Sequence, residues 1–174
     1  MTTPTRTVHP GVTMRYDVRS TDPDAIRRLV ESTGFFSTVE VDVAVELADE
    51  RLRLGDPSGY HFVFAESDGA VVGYACYGPI ALTLGSFDLY WMAVDRWSQG
   101  HGVGRSLLAE VERQVQDRGG RQLYIETSSR PQYAPTRAFY ERCEFDGVAT
   151  LKDFYAPGDG KVVFQKVTSI PARP

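Results

Sequence analysis

Apolar positions along this chain alternate between two spacings, and each change of spacing marks a new short element. From Val12 to Val18, apolar and polar residues take turns as in a half-buried strand. A helix follows from near Pro23 to Thr33. Thr21 or Asp22 offers its cap, Pro23 suits a first turn and Gly34 supplies the stop. A second amphipathic stretch, Thr38 to Leu54, carries Val41, Val45 and Leu52 on one side and acids on the other, until Gly55-Asp56-Pro57 ends it. Tyr60 to Glu66 and Ala70 to Tyr77 read as strands, joined by the hairpin signal Asp68-Gly69. Phe87 to Val94 is a fourth strand, and Arg105 to Arg118 a helix closed by Gly119-Gly120. Gln122 to Thr127 then reads as a fifth strand and Thr136 to Arg142 as a short helix. Phe145 to Phe154 and Lys161 to Val167 flank the turn-rich run Ala156 to Gly160. Residues 1–10 and 169–174 predict no element. This order describes an α/β sheet that mixes hairpins with crossovers.

Composition narrows the class. A chain of 174 residues is expected to form a single domain with peripheral tails. Its 42% hydrophobic and 24% charged residues match ordinary globular usage. A net charge of −4 runs against nucleic acid as the main partner. Cys76 and Cys143 fit no metal-ligand spacing, so no metal is expected, and Cys76 reads as a small buried hydrophobe. That cysteine usage suits a reduced, cytoplasmic interior. No apolar run has the length of a membrane span, and Met1 to Thr7 lacks the apolar segment of a signal peptide.

Candidate chemistry concentrates behind the fourth strand. Gln99-Gly100-His101-Gly102-Val103-Gly104 strips the side chains from alternate positions of one loop. Its backbone N–H groups can close on an anion, with a helix N-terminus behind them to favour the charge. Such a loop alone is a weak signal, because nucleotide-binding turns share it. A Rossmann site would need the glycines after the first strand of a βαβ unit, with an acid about twenty residues on. Here the loop follows two hairpin strands, past the middle of the chain. The Lys-Ser/Thr pair of a P-loop is missing. A glycine-rich helix start without any ligand is the plain alternative.

The element order and the residues around the loop resemble the GNAT superfamily of N-acetyltransferases, well from Tyr60 to Lys166 and by element order before that. Gln99-x-x-Gly102-x-Gly104 is similar to the family's acetyl-CoA loop, and it follows Ala93-Val94-Asp95 as the family's fourth strand feeds that loop. Ala138-Phe139-Tyr140, then Phe145, resembles its aromatic-Tyr-x-x-x-Gly-Phe segment, with Glu144 standing where the family has glycine. The resemblance implies a GNAT-like mixed, largely antiparallel sheet of about six to seven strands with about four helices. The fourth and fifth strands should splay, so that the pantetheine arm of acetyl-CoA enters between them. The resemblance also implies that backbone N–H groups of Gly100, Gly102, Gly104 and Arg105, with His101 and Val103 between them, grip the pyrophosphate. Gln99 braces the loop or donates to a phosphate. Met92 and Val94, with Ala93 between them, offer backbone groups to the arm, and an N–H near Val94 meets the acetyl carbonyl. Tyr133, or Thr136 at the start of the next helix, replaces the asparagine that relatives use on the cofactor.

Acetyl transfer from a thioester to an amine needs a neutral amine and a proton for the departing thiolate. Tyr140 is the candidate acid: a phenol with an ordinary pKa near 10 keeps its proton at neutral pH, and the family places a tyrosine here for that role. The competing reading makes Phe139 and Tyr140 core aromatics. Glu126 is the first candidate base, because ribosomal-protein alanine acetyltransferases of this superfamily carry a glutamate there, although Ser128-Ser129-Arg130-Pro131 lengthens the spacing to the tyrosine. Asp88 is a second candidate and a water chain a third, while an arginine-paired carboxylate is the plain reading of Glu126. Phe35, Phe36 and Tyr155, with Asp88, are expected to line the acceptor pocket. Asp153-Phe154-Tyr155 before Asp159 resembles the last hairpin that faces the amine in relatives, and a solvated turn explains Asp159 equally well. The expected reaction acetylates a primary amine of a small molecule. A protein N-terminus or lysine is one alternative acceptor. A non-catalytic acyl-CoA-binding module is the other reading, against which Tyr140 argues. The superfamily's frequent dimerisation extends to this chain as an expected homodimer, with no stretch of sequence specifying its interface.

Overall fold

The computed structural model describes residues 6–9 and 11–168. Its elements run β1 (Arg6–His9), β2 (Val12–Arg15), α1 (Asp22–Thr33), α2 (Thr38–Leu54), β3 (His61–Ser67), β4 (Ala70–Pro79), β5 (Ser86–Val94), α3 (Val103–Asp117), β6 (Gln122–Ser128), α4 (Ala134–Arg142), β7 (Asp146–Ala156) and β8 (Asp159–Val167). The predicted order holds, with β1 added where the sequence predicts no element. Residues 1–5, 10 and 169–174 of the expected tails lie outside the described residues. Among the described residues, no helix is long and apolar enough to cross a membrane.

The chain gathers into two compact units. One comprises the residues up to Gly78 with Trp91–Val111; the other comprises Pro79–Tyr90 with the residues from Glu112 onward. In the first unit, β1, β2, β3 and β4 pair antiparallel in that order. The β3–β4 turn puts Asp68 (φ 49°) and Gly69 (φ 79°) both in the left-handed region, as the two-residue hairpin Asp-Gly demands. Helix α2 begins in a full capping box: Ser37 Oγ accepts the Glu40 N–H, and the Glu40 carboxylate accepts the Ser37 N–H at 2.8 Å. Ile26, Leu29 and Val30 of α1 join Val41, Ala44 and Ala48 of α2 against Phe62, Phe64, Tyr74 and Cys76 of the sheet. Strand β2 ends at Arg15 and not at Val18, because the buried Arg15 guanidinium turns to the Asp22 carboxylate and the chain bends to meet it.

In the second unit, β5 runs parallel to β6, which pairs antiparallel with β8, and β8 with β7. The β5–β6 register begins at Ser86 opposite Gln122 and ends at Leu89 opposite Ile125. The pairing ends there, where the resemblance implies that the fourth and fifth strands of the sequence splay. Gly120 lets α3 turn directly into β6: a Cβ on it would lie 2.3 Å from Val115 Cγ1 and 2.8 Å from the Val115 carbonyl oxygen. The β7–β8 turn is tighter than Ala156 to Gly160 predicts. Ala156 already faces Asp159, and Pro157-Gly158 form the whole turn, with the Asp153 carboxylate accepting the Gly158 N–H at 2.8 Å.

Glu144 keeps the turn that the family builds with glycine. It adopts φ 66° after α4, and the Phe145 N–H still reaches the Tyr140 carbonyl at 3.1 Å. A side chain there costs about 1–2 kcal/mol, against about 0.5–1 kcal/mol of extra chain entropy for glycine. The Glu144 carboxylate, 3.7 Å from Lys166 and largely exposed, adds little in return. Glu144→Gly should therefore stabilise the protein by about half a kcal/mol and raise Tm by about 1–2 °C. A lower Tm in a thermal melt would contradict this balance.

Candidate active site

Strand β5 delivers the glycine loop. After Val94, the Asp95 carboxylate accepts the Trp97 N–H at 3.0 Å and starts a single 3-10 turn, Arg96–Ser98. Gln99 then reaches back, its Nε2 donating to the Val94 carbonyl at 3.0 Å and bracing the loop. Gly100 (φ 78°) and Gly102 (φ 83°) both occupy the left-handed region, which glycine enters without strain. The Gly102 carbonyl accepts the Ser106 N–H at 3.0 Å, the first α-helical bond of α3. The N–H groups of Val103, Gly104 and Arg105 thus have no carbonyl behind them within the helix. Donors at a helix start, reached over bare glycine backbone, fit a pyrophosphate. The Val103 side chain is buried beside Gly73 and anchors this helix start, while His101 and Arg105 are exposed. Ala93 is buried, with Met92 and Val94 half-buried on either side.

In the second unit, the period of two along each strand separates two faces. Ile125 faces Phe164 across β6 and β8, and both are buried. Tyr140 of α4 packs on that side, its ring 5.7 Å from Phe164, 6.2 Å from Phe145 and 5.5 Å from Phe139. Burial pushes its phenol well above the usual value, and the nearby Cys143 adds to the effect. Glu126 alternates to the other face, with its carboxylate 2.6 Å from Lys161 Nζ. Its partner is a lysine and not the arginine of the plain reading. Asp88, opposite Tyr124, lies on that same face. Burial and the Glu126 charge raise the Asp88 carboxyl, and Lys161 partly offsets them. The β5–β6 register ends at Ile125, the neighbour of Glu126.

The remaining sequence candidates divide. Phe36 packs on Trp91 at 5.1 Å, whereas Phe35 is exposed. Tyr155 is half exposed and meets Phe154 edge to face at 5.1 Å. Tyr133 is buried under the Arg130 guanidinium, and Thr136 is half-buried in the first turn of α4. Asp159 does not fit the solvated-turn reading, one of the two the sequence offers. It is buried, accepts the Ser128 hydroxyl at 2.5 Å and pairs with Arg130 Nε at 3.1 Å. Ser129 also accepts the Gly160 N–H at 2.7 Å, so the loop after β6 is tied to the last hairpin. Lys161 is the site residue that sequence reasoning missed. Strand alternation would have found it only with the β6–β8 register in hand, and the overestimated turn before β8 obscured that register.

The sequence profile of the acetyltransferase (GNAT) family matches residues 24–145. Among solved structures, the chain is similar to an inferred GNAT acetyltransferase from Desulfovibrio desulfuricans. The two are 51% identical over 91% of this chain and 99% of that one, with a TM-score of 0.89. The ribosomal-protein-S18-alanine N-acetyltransferase of Escherichia coli shares the fold at 19% identity and TM-score 0.73, over 93% of this chain and 97% of that one. So does an inferred acetyltransferase from Salmonella typhimurium solved with acetyl-CoA, at 20% identity and TM-score 0.71, over 94% and 97% of the two chains. No curated protein matches the chain.

Proposed function

We propose that this chain, a member of the GNAT acetyltransferase family, transfers an acetyl group from acetyl-CoA to a primary amine of a small-molecule acceptor. The observation that carries the reading is the loop Gln99 to Gly104, with Gly100 and Gly102 left-handed and behind them the first-turn N–H groups of α3, which have no carbonyl of the helix to bond. Bound acetyl-CoA supplies the activated acetyl thioester. The loop N–H groups hold its pyrophosphate, and Met92 and Val94 hold the pantetheine arm by backbone bonds, as an added strand is held. A backbone N–H near Val94 donates to the acetyl oxygen as negative charge develops there.

The amine nitrogen bonds to the acetyl carbon as the C–S bond breaks. The amine's proton passes to a carboxylate, Glu126 or Asp88, directly or through water, and Tyr140 acts as the acid toward the departing sulfur by donating a hydrogen bond to it as it leaves as a thiolate. A thiol has an ordinary pKa near 8.5, well below that of the buried phenol. Tyr140 therefore keeps its proton and stabilises the anionic sulfur as a hydrogen-bond donor, and the thiolate takes its own proton from solvent. Phe35, Phe36 and Tyr155 shape the acceptor side, and Tyr133 or Thr136 contacts the cofactor.

The test is direct. The purified protein is incubated with acetyl-CoA and a library of free amines, beside peptides with free N-termini and lysines, and products are read by mass spectrometry. Acetylated small amines are expected. Products confined to peptides would move the acceptor to protein. CoA binding without any product would leave an acyl-CoA-binding module.

A further inference from the structure

Lys161 lies on β8 opposite Ser128 of β6 and Leu151 of β7. Its side chain is only 12% exposed, unusual for a lysine on an open hairpin. The ammonium sits 2.6 Å from Glu126 Oε2 and 3.8 Å over the centre of the Phe154 ring, with the Tyr155 ring at 5.9 Å. A cation between a carboxylate and two aromatic faces is held from both sides. On the same face, Asp88 is half-buried and makes no ion pair among the described residues. The groups that face Asp88 are Tyr124 and Glu126 from β6 and Lys161 from β8.

Two carboxylates in unlike surroundings take unlike roles. A proton arriving on Glu126 would destroy a charge-assisted bond at 2.6 Å, whereas a proton on Asp88 would relieve repulsion from Glu126. We propose that Lys161 is a positioning residue: it holds Glu126 as the paired anion of the site and leaves Asp88 as the carboxylate that takes the acceptor's proton. The proposal rests on the acetyltransferase reading above, and it chooses between the two bases which that reading leaves open. Phe154 and Tyr155 then serve the site by holding Lys161 in place.

The test uses the full chain with Lys161→Met, whose uncharged side chain still covers the rings, and Lys161→Arg, which restores the charge. Carbon-13 carboxyl NMR follows the titration of Asp88 without any substrate. Asp88 should titrate at higher pH in Lys161→Met, which removes the lysine charge that lowers it, and Lys161→Arg should return it near wild type. With an acceptor in hand, the acid limb of kcat/KM should move up with Asp88 in Lys161→Met. Asp88→Asn should lower kcat at least about a hundredfold, and Glu126→Gln less than about tenfold. An unmoved Asp88 titration in Lys161→Met overturns the role of Lys161. A larger kcat loss in Glu126→Gln than in Asp88→Asn overturns the choice of base and leaves the acetyltransferase reading standing. If no acceptor is found, that reading fails, and the substrate-free titrations still decide whether Lys161 governs Asp88.

Discussion

Replacing Tyr140 with phenylalanine should lower kcat by about a hundredfold or more, and leave the KM and Kd for acetyl-CoA within about threefold. The substitution removes one hydroxyl and keeps a ring of the same shape. The contacts to Phe139, Phe145 and Phe164, at 5.5 to 6.2 Å, belong to the ring, so the packing of α4 survives. What is lost is the donor for a sulfur that carries charge only as the C–S bond breaks, so the penalty falls on kcat and not on binding. Burial adds a second signature. It holds the phenol above its ordinary value, so Tyr140 contributes no alkaline limb to the wild-type profile below about pH 10. Stopped assays over pH 6 to 9.5 with both proteins provide the check. A kcat within threefold of wild type, or a basic limb that vanishes with the hydroxyl, would remove Tyr140 from the acid role.

The largest expected effect on stability lies in the first unit. Asp22→Ala should destabilise the fold by about 3–5 kcal/mol. The Asp22 carboxylate accepts Arg15 Nη1 and Nη2 at 2.9 and 2.8 Å, and it takes the Arg19 N–H at 2.7 Å to close the turn before α1. Arg15 also donates to the Glu66 carboxylate at 2.7 Å and to the Asp17 carbonyl, and it covers the Phe64 ring at 4.2 Å. Burial works against its charge, and the hydrogen bonds and charges of Asp22 and Glu66 outweigh burial to keep it protonated. With Asp22 gone, a guanidinium that is 3% exposed keeps its desolvation and loses two of its bonds. Melting should fall by roughly 6–20 °C for a chain of this length. Replacing both partners, as Arg15→Met with Asp22→Leu, should cost less than the single change, because no buried charge is then left alone. A single-variant loss under about 1 kcal/mol would show that water reaches this guanidinium. The same network walls a cleft of about 450 Å³, which Arg19, Arg28 and Asp95 also line, and most of its charges are already spent on one another.

Much of this molecule could be read before its coordinates. Asp68-Gly69 predicts its hairpin because only left-handed residues fit a two-residue turn, and the observed φ values are those. Thr38 to Leu54 matches α2 end to end, since its apolar spacing and its glycine stop are both local signals. The glycines of Gln99 to Gly104 point to an anion cradle because backbone freedom is a property of the residue itself. Strand β1 was illegible. It holds its place by pairing with β2, and its four residues Arg-Thr-Val-His show no pattern of their own. Glu144 stands where the family has glycine, yet the surrounding hydrogen bonds hold it at φ 66°.

The sequence by itself determined the order of elements after β1, the family and the position of the glycine loop proposed to cradle the donor's phosphates, because each is written in neighbours along the chain. Tertiary structure alone decided which groups share a face. It set Tyr140 on one side of β6 and β8 and Glu126 with Asp88 on the other, and it brought Lys161 to within 2.6 Å of Glu126. Those placements depend on the register between strands far apart in sequence. A one-residue slip turns every side chain to the opposite face, and residues in different elements learn their neighbours only when the strands pair.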